Sequence, residues 1–190
     1  RGAPEGVWRL AAARPYATPS GRDAARGRRV GHMTVGERLA VINAYVGDRA
    51  HRRHKPGRAL DRLTYRFDVL ADYGAFRDLQ RHRMLTLEWQ ALSTRHGYTR
   101  PEAIDLAGVT DAFDGAMERS ADLHDLLDRR FPVQAPYAVC LAYKLRFVMQ
   151  MNAREAMHLI ELRSGRQGHP AYRVVAQEMY RLIAEEAGHP

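Results

Sequence analysis

The chain has 190 residues, of which 45% are hydrophobic and 27% are charged. This length and composition suit one globular domain, alone or with an arm, and exclude a chain that is disordered throughout, while the single cysteine, Cys140, excludes a disulfide scaffold. Lysine and arginine (30) outnumber aspartate and glutamate (22) to give a net charge of +8, and nearly all the positive charge is arginine, whose planar guanidinium suits bidentate contacts with phosphates and carboxylates.

Several classes of segment and site have no support in the sequence. No run of about 18 apolar residues occurs, so we expect no membrane span. We expect no metal site either, because the potential ligands lack clustered spacing, and neither a Walker-type glycine loop nor a GxGxxG turn is present. Since the chain starts without methionine and without a signal-type apolar core, we expect it to be the interior or a trimmed piece of a longer protein.

The first predicted elements are an arm and a helix. Residues 1–31 mix prolines, glycines and arginines in the manner of an arm or linker. Thr34 and Glu37 have the spacing of a capping box, and the apolar residues that follow at helical intervals predict a helix of roughly three turns that ends near Gly47. Residues 48–62 are basic and are predicted to form a solvated loop.

The middle of the chain predicts two strands and two helices. Apolar and polar residues alternate from Leu63, which is typical of a strand with one face in the core. Residues 72–81 predict a short helix, residues 84–94 a second strand and residues 110–130 an amphipathic helix. The apolar residues expected to face inward on this last helix are Phe113, Met117, Leu123, Leu126 and Leu127.

The last part of the chain predicts a strand and two helices. Weak alternation predicts a third long strand over residues 137–151, and Asn152 is a good cap for a helix over residues 153–164. Residues 169–187 predict a closing helix. Helices interleaved with a few non-local strands indicate an α+β fold, with a mixed or antiparallel sheet packed against long helices.

One concentration of polar groups lies between the second helix and the second strand. Arg81 and Arg83 flank His82, and on an extended backbone the two arginines would point the same way and suit a diphosphate. An Arg-x-Arg triplet also arises by chance in a chain so rich in arginine.

A second concentration opens the predicted helix after Asn152. The N-terminus of a helix attracts anions, and Arg154 in the first turn opposes the helix dipole and calls for an anionic partner. His158 lies four residues on and therefore on the same face, and Arg163 follows more than a turn later. Facing inward, these side chains would need a ligand, whereas facing outward they would be ordinary surface residues.

Taken together, the two segments resemble the flavin-dependent thymidylate synthases, the ThyX family. The family signature begins Arg-His-Arg-x-x-Ser, which is matched by Arg81-His82-Arg83 with Thr86 in place of the serine. A later family helix opens Asn-x-Arg and ends Glu-Leu-Arg, which is matched at the same interval by Asn152-Ala153-Arg154 and Glu161-Leu162-Arg163. The resemblance covers roughly residues 50–188.

The resemblance implies a flavin-binding domain at residues 32–190 of a cytoplasmic homotetramer. In the family, FAD is held between subunits, and the residues matched to its binding site here are Arg81, His82, Arg83, Asn152, Arg154 and His158. Arg163 is implied to bind dUMP and polarise the uracil ring as the catalytic residue, with Arg81 and Arg95 as further substrate contacts. The implied reaction is reductive methylation of dUMP, which takes methylene from methylenetetrahydrofolate and hydride from NADPH through FAD.

The sequence departs from the family pattern mainly on the nucleotide side. A family glutamine is Asp78 here, and the family Ser-x-Arg falls on Ala91 and Ser93, although a displaced Ser-x-Arg ends at Arg95. These departures leave open a second hypothesis, a non-catalytic ThyX-like domain of a larger protein that retains the fold, the assembly and flavin binding. A third hypothesis, nucleic-acid binding through the arm and the basic residues 51–55, is motivated by charge alone and is the least favoured.

Overall fold

A computed structural model describes residues 32–188, so the arm predicted for residues 1–31 lies outside the described residues. In the described part, six α-helices accompany one small antiparallel sheet with strand order β1-β3-β2. This mixed composition confirms the predicted α+β fold. In chain order the elements are α1 (Val35–Val46), β1 (Thr64–Asp72), α2 (Tyr73–Leu79), β2 (Leu85–Trp89), α3 (Glu102–Leu106), α4 (Thr110–Asp128), β3 (Lys144–Asn152), α5 (Ala153–Arg163) and α6 (Pro170–Glu185).

Strand β3 is the centre of the sheet and supplies its most buried side chains. Alternate residues of β3 are buried, among them Leu145, Phe147 and Met149, as expected where every second residue of a strand faces the core. On the other face, Arg146 donates from Nε to Asp68 Oδ1 of β1 at 2.9 Å and from Nη2 to Oδ2 at 2.5 Å. The outer face of the sheet is therefore held by a bidentate ion pair, which raises the pKa of Arg146.

The chain divides into two compact units, each with its own apolar cluster. Within the described residues, the first unit comprises residues 32–66, 150–168 and 176–188. In this unit the Tyr45 hydroxyl accepts a hydrogen bond from the Ala59 amide at 2.8 Å, and burial raises the pKa of Tyr65 to about 12. The cluster is built from Ala59, Leu60 and Ala153, with Tyr45, Val46, Leu63, Tyr65 and Met157 packed against them.

The second unit comprises residues 67–149 and 169–175. One part of its interior is aromatic: the rings of Phe76 and Phe147 meet edge to face with 4.9 Å between centroids. The other part pins α4 to the segment before β3, because the Tyr143 hydroxyl donates to the Met117 carbonyl at 2.5 Å. Met117, Val139 and Tyr143 form the buried cluster there, with partly buried neighbours that include Phe113 and Cys140.

Several predicted boundaries are confirmed. The Thr34–Glu37 capping box is present in both directions, and α1 ends at Val46 with Gly47 as its C-cap, where glycine tolerates the positive φ of 71°. The strand predicted from Leu63 is β1, and the predicted helices at residues 72–81, 153–164 and 169–187 correspond to α2, α5 and α6.

Two strand predictions are too long. The second strand, predicted over residues 84–94, ends at Trp89, because the chain leaves its partner β3 after the Gln90 amide donates to the Arg146 carbonyl. The third strand, predicted over residues 137–151, begins only at Lys144, since a 3-10 turn at Ala135–Ala138 precedes it. Helix α3 was not predicted from the sequence.

The predicted inward face of α4 is partly wrong. Leu123 and Leu126 are exposed, and the residues buried on this helix are Met117, Ser120 and His124. The buried stripe has helical spacing, but it is set by the side of α4 that packs on the segment before β3, where Ser120 Oγ donates to the Ala138 carbonyl. Leu123 and Leu126 lie off this stripe, whereas Leu127, three residues after His124, is half-buried.

We predict that Phe147→Ala lowers the free energy of unfolding by about 3 to 5 kcal/mol, because a ring that is 1% exposed is replaced by a cavity at the centre of the sheet. Phe131→Ala is the matched control, since that ring is 52% exposed, and we expect it to cost less than about 1 kcal/mol. Urea denaturation followed by circular dichroism measures both. Equal losses would contradict the burial described for Phe147.

Candidate functional site

The second unit contains a cleft of about 430 Å³ beside the start of α2. Helix α2 is fixed here because its first amides, those of Tyr73 and Gly74, donate to the carbonyls of Tyr143 and Leu141 at 2.8 and 2.9 Å. A side chain at Gly74 would meet Asp72 Oδ1 at 3.1 Å, so glycine permits this close approach. The cleft is lined by Asp72, Gly74, Arg77, Asp78, Arg81, Leu141, His169 and Tyr172.

Two arginines supply the positive charge of the cleft. Arg77 and Arg81 are four residues apart, and Arg77 lies over the Tyr73 ring at 5.8 Å from its centroid. Arg81 Nη1 lies 3.6 Å from Asp78 Oδ1, but the Arg81 side chain is 74% exposed, so water screens this pair. The Arg81 guanidinium is therefore only weakly bound to Asp78. The lining of the cleft thus contains both positive and negative side chains.

The far wall of the cleft comes from the beginning of α6. His169 Nδ1 accepts a hydrogen bond from the Ala171 amide at 3.3 Å, which leaves Nε2 as the donor nitrogen of the neutral ring. The Tyr172 ring lies 6.4 Å from the His169 ring between centroids. This wall adds an imidazole donor and a phenol to the charged groups of α2.

The second group of candidate residues lies on α5, in the first unit. Asn152 caps α5, since its Oδ1 accepts from the Glu155 amide at 2.9 Å, and its Nδ2 remains as a hydrogen-bond donor for a ligand. Arg154 is half-buried and donates from Nε to the Pro56 carbonyl at 3.1 Å. Its two terminal nitrogens form no further hydrogen bond or ion pair with residues of the described range, so they are available to an anion.

Two further candidates lie along the same helix. His158 and Arg163 are half-buried, and Arg163 falls in the last turn of α5, where a positive charge is favoured by the helix dipole. The helix thus carries one arginine at each end. Arg154 is placed against the dipole and Arg163 with it, which makes Arg154 the position that gains more from a bound anion.

The candidates that match the Arg-His-Arg segment lie in the second unit. They lie between α2, which ends at Leu79, and β2, which begins at Leu85, and this is the placement predicted from the sequence. Arg81 is in a turn, and His82 and Arg83 lie outside any helix or strand. Arg83 is exposed, His82 is half-buried, and of the three only Arg81 lines the cleft.

Arg95 lies outside the cleft. It sits in the loop after β2, its side chain is 79% exposed, and its Nη2 lies 4.0 Å from Asp128 Oδ2. Sequence reasoning missed four polar residues that line the cleft: Asp72, Arg77, His169 and Tyr172. The spacing of Arg77 four residues before Arg81 could have revealed it, whereas nothing in the sequence links His169 or Tyr172 to α2.

Comparison with known proteins gives the family. The profile of the thymidylate synthase complementing protein family matches residues 3–188, nearly the whole chain. The chain belongs to this family. It is the ThyX family that the Arg-His-Arg and Asn-x-Arg motifs resemble, so that prediction is confirmed.

Among curated relatives, UPF0159 proteins are similar over most of this chain. Those of Chlamydia pneumoniae and Chlamydia muridarum are 37% and 36% identical over 187 and 186 residues, 97% of this chain and 35% of each relative. That of Thermoplasma acidophilum is 34% identical over 164 residues, 85% of this chain and 32% of the relative. The chain therefore spans about a third of the length of the curated relatives it matches.

A solved structure shares the fold. The crystal structure of a UMP/dUMP methylase, PolB from Streptomyces cacaoi, bound with 5-Br dUMP, has a TM-score of 0.70 over 96% of this chain and 87% of its own, with 17% identity. Within residues 32–188, no helix combines the length and apolar character that a membrane crossing needs. Nor do these residues include a group of three or more His, Cys, Asp or Glu side chains placed to hold a metal ion.

We predict that Asn152→Ala destabilises the protein by about 1 kcal/mol, because the first turn of α5 loses the acceptor for the Glu155 amide. Asn152→Asp keeps a capping oxygen and is expected to restore the stability. Thermal unfolding of the three proteins measures the difference. If the aspartate variant were as unstable as the alanine variant, the capping role of Asn152 would be contradicted.

Proposed function

We propose that this chain is a flavin-binding ThyX-type domain that methylates dUMP, taking methylene from methylenetetrahydrofolate and reducing equivalents from NADPH. Arg154 is the observation that carries the proposal. It is anchored through Nε to the Pro56 carbonyl, it opposes the dipole of α5, and its terminal nitrogens are left for an anion. This is the arrangement that a bound phosphate would stabilise.

The residues present fit FAD, on which the family generally depends. The diphosphate of FAD needs several cationic or amide donors, and Arg154 and Asn152 Nδ2 supply these on α5. Arg81 adds a weakly paired guanidinium and Arg83 an exposed one that pairs with no residue in the described range. His82 and His158 complete the proposed cofactor set. Bound FAD would supply the hydride transfer.

The chain's own side chains would position and polarise the nucleotide. Arg163, half-buried at the end of α5, is the proposed catalytic group: a fixed positive charge next to the uracil ring stabilises the negative charge that develops there. Arg81 in the cleft is a proposed phosphate contact, and Arg95 would need to release Asp128 to act as another. No protein nucleophile is required, since orientation and electrostatics carry the rate.

The assembly belongs to the same proposal. We take residues 32–190 as the flavin-binding domain of a cytoplasmic homotetramer in which FAD lies between subunits, and membership of the family supports this. Nucleic acid is not a proposed partner. The chain spans about a third of the length of its curated relatives, so the activity of the whole protein is also a proposal.

A second candidate function is a non-catalytic ThyX-like domain that keeps the fold and binds flavin. Asp78 favours it, because a carboxylate in the cleft, 3.6 Å from Arg81, opposes a nucleotide phosphate. The early end of β2 at Trp89 also favours it, because Ser93 and Arg95 then lie in a loop and not at the strand positions of the family's Ser-x-Arg. Both candidate functions include flavin binding, but only the first includes catalytic turnover of dUMP.

The visible absorption spectrum of the purified protein after incubation with FAD tests the proposal. We expect a bound-flavin spectrum that dUMP perturbs, and formation of dTMP when NADPH and methylenetetrahydrofolate are added. Arg154→Ala is expected to weaken FAD about ten- to hundredfold, the effect of losing one charge-assisted contact, whereas the exposed Arg129→Ala on another helix end is the control. A colourless protein that takes up no FAD would sink the proposal, and bound flavin without dTMP would favour the second function.

We predict that Asp78→Asn strengthens the binding of dUMP about two- to fivefold, because it removes a screened carboxylate beside Arg81. Calorimetric titration at low ionic strength measures the change. Asp122→Asn, which removes an exposed carboxylate from α4, is the matched control and is expected to have no effect. Unchanged or weaker binding in the Asp78 variant would show that the nucleotide phosphate does not approach this side of the cleft.

A further inference from the structure

The loop after α1 contains an ordered turn of five exposed residues, His51–Lys55, here called the basic turn. The His54 amide donates to the His51 carbonyl at 3.0 Å and closes it. Each imidazole accepts a backbone amide: His51 Nδ1 from Arg53 at 3.2 Å, and His54 Nδ1 from Ala50 at 3.4 Å. The two rings pack together with 3.9 Å between centroids. The basic turn is therefore built by its own side chains.

Arg49 clamps the basic turn to α5. Its Nε donates to the His54 carbonyl at 2.5 Å, and its two terminal nitrogens bind the carboxylate of Glu161 at 2.6 and 2.8 Å. The two side chains are 13% and 34% exposed, so this bidentate pair is partly shielded from solvent. Just after the turn, the Pro56 carbonyl accepts from Arg154 of α5. The basic turn is thus tied to α5 on both sides.

Three cations of the basic turn are left without partners. Arg52, Arg53 and Lys55 are exposed, and none of their side chains forms a hydrogen bond or ion pair with any residue between 32 and 188. Arg58, just beyond the turn, pairs with Asp61 at 3.1 Å, so the Asp61 carboxylate neutralises Arg58 and not a cation of the basic turn. Three like charges on five fixed residues repel one another, and a bound dianion relieves that repulsion.

We propose that the basic turn is a binding site for a phosphate monoester, the terminal or 2′-phosphate of a nucleotide. The amides of Arg53 and His54 are already bonded, so the contacts would come from the side chains of Arg52, Arg53 and Lys55. A single compact dianion fits a cluster five residues long, whereas a nucleic-acid strand needs a longer track with aromatic platforms. Glu161 and Arg49 act as positioning residues for this site. The proposal deepens the proposed function, whose reductant is NADPH, and its test measures ligand binding and not turnover.

The test uses two ligands that differ by one phosphate monoester. Calorimetry at low salt compares NADP⁺ with NAD⁺, with inorganic phosphate as the third probe. We expect NADP⁺ to bind at least about tenfold more tightly than NAD⁺. The variant Arg52→Ala/Arg53→Ala/Lys55→Ala is expected to lose that preference. Competition by millimolar inorganic phosphate alone, with no preference for NADP⁺, would overturn the assignment to a nucleotide.

A charge-matched control separates a built site from general attraction. Arg129→Ala/Arg130→Ala/Arg166→Ala removes the same number of charges from exposed positions elsewhere and is expected to keep the preference for NADP⁺. Equal losses in both triple variants, or tighter binding of a short RNA that both weaken alike, would overturn the proposal in favour of non-specific attraction.

Glu161→Gln tests the clamp while keeping all three cations. We expect it to weaken NADP⁺ severalfold and leave NAD⁺ unchanged, because the basic turn loses its anchor on α5. Glu161→Asp, which keeps the carboxylate, is expected to recover part of the preference. If NAD⁺ weakened equally in the Gln variant, the effect would be structural damage and the positioning role would be wrong.

Discussion

The positions of the candidate site residues depend on two strands, each of which is followed by a helix without an intervening loop. The last residue of each strand is also the cap of the following helix: Asp72 Oδ1 accepts from the Ala75 amide at 2.8 Å, and Asn152 Oδ1 from the Glu155 amide at 2.9 Å. Both caps are extended, which suits the end of a strand. The end of each strand therefore determines where the next helix begins. It also determines the positions of the arginines on that helix.

The positive charge of the chain separates into two kinds of arginine once its contacts are known. Some arginines are structural: Arg49 is clamped on Glu161, and Arg146 crosses from β3 to Asp68. Others keep free donors, such as the terminal nitrogens of Arg154 and the exposed guanidinium of Arg83. A net charge of +8 does not distinguish them, because the distinction lies in which carboxylates come within reach.

The departures from the family pattern acquire a physical meaning in the cleft. Asp78, which the sequence marks as a substitution of a family glutamine, lies in the cleft beside Arg81, so the change acts at the place where an anion would bind. The replacement of the family's Ser-x-Arg is tied to the backbone, because β2 ends at Trp89 and residues 91–95 lie outside any strand. Both changes fall in the second unit, whereas the match on α5 is intact.

Sequence alone determined the family, the α+β class and the elements whose signals are local. The capping box at Thr34 and Glu37, the alternation of β1 and the cap at Asn152 each arise from neighbours within a few residues, so periodicity and capping rules predicted them. The spacing of the motifs likewise predicted which arginines are candidate site residues, because this spacing can be read from the sequence without knowing the fold.

Only the tertiary structure decided where strands stop, which face is buried and what surrounds each arginine. The buried face of α4 follows Ser120 and His124 and not Leu126, because the segment that packs on it is distant in sequence. His169 enters the cleft about ninety residues after α2 for the same reason, and Arg49 meets Glu161 from 112 residues away. Contacts between distant segments depend on the tertiary arrangement of the whole chain, and the rules that relate local sequence to local structure do not predict that arrangement.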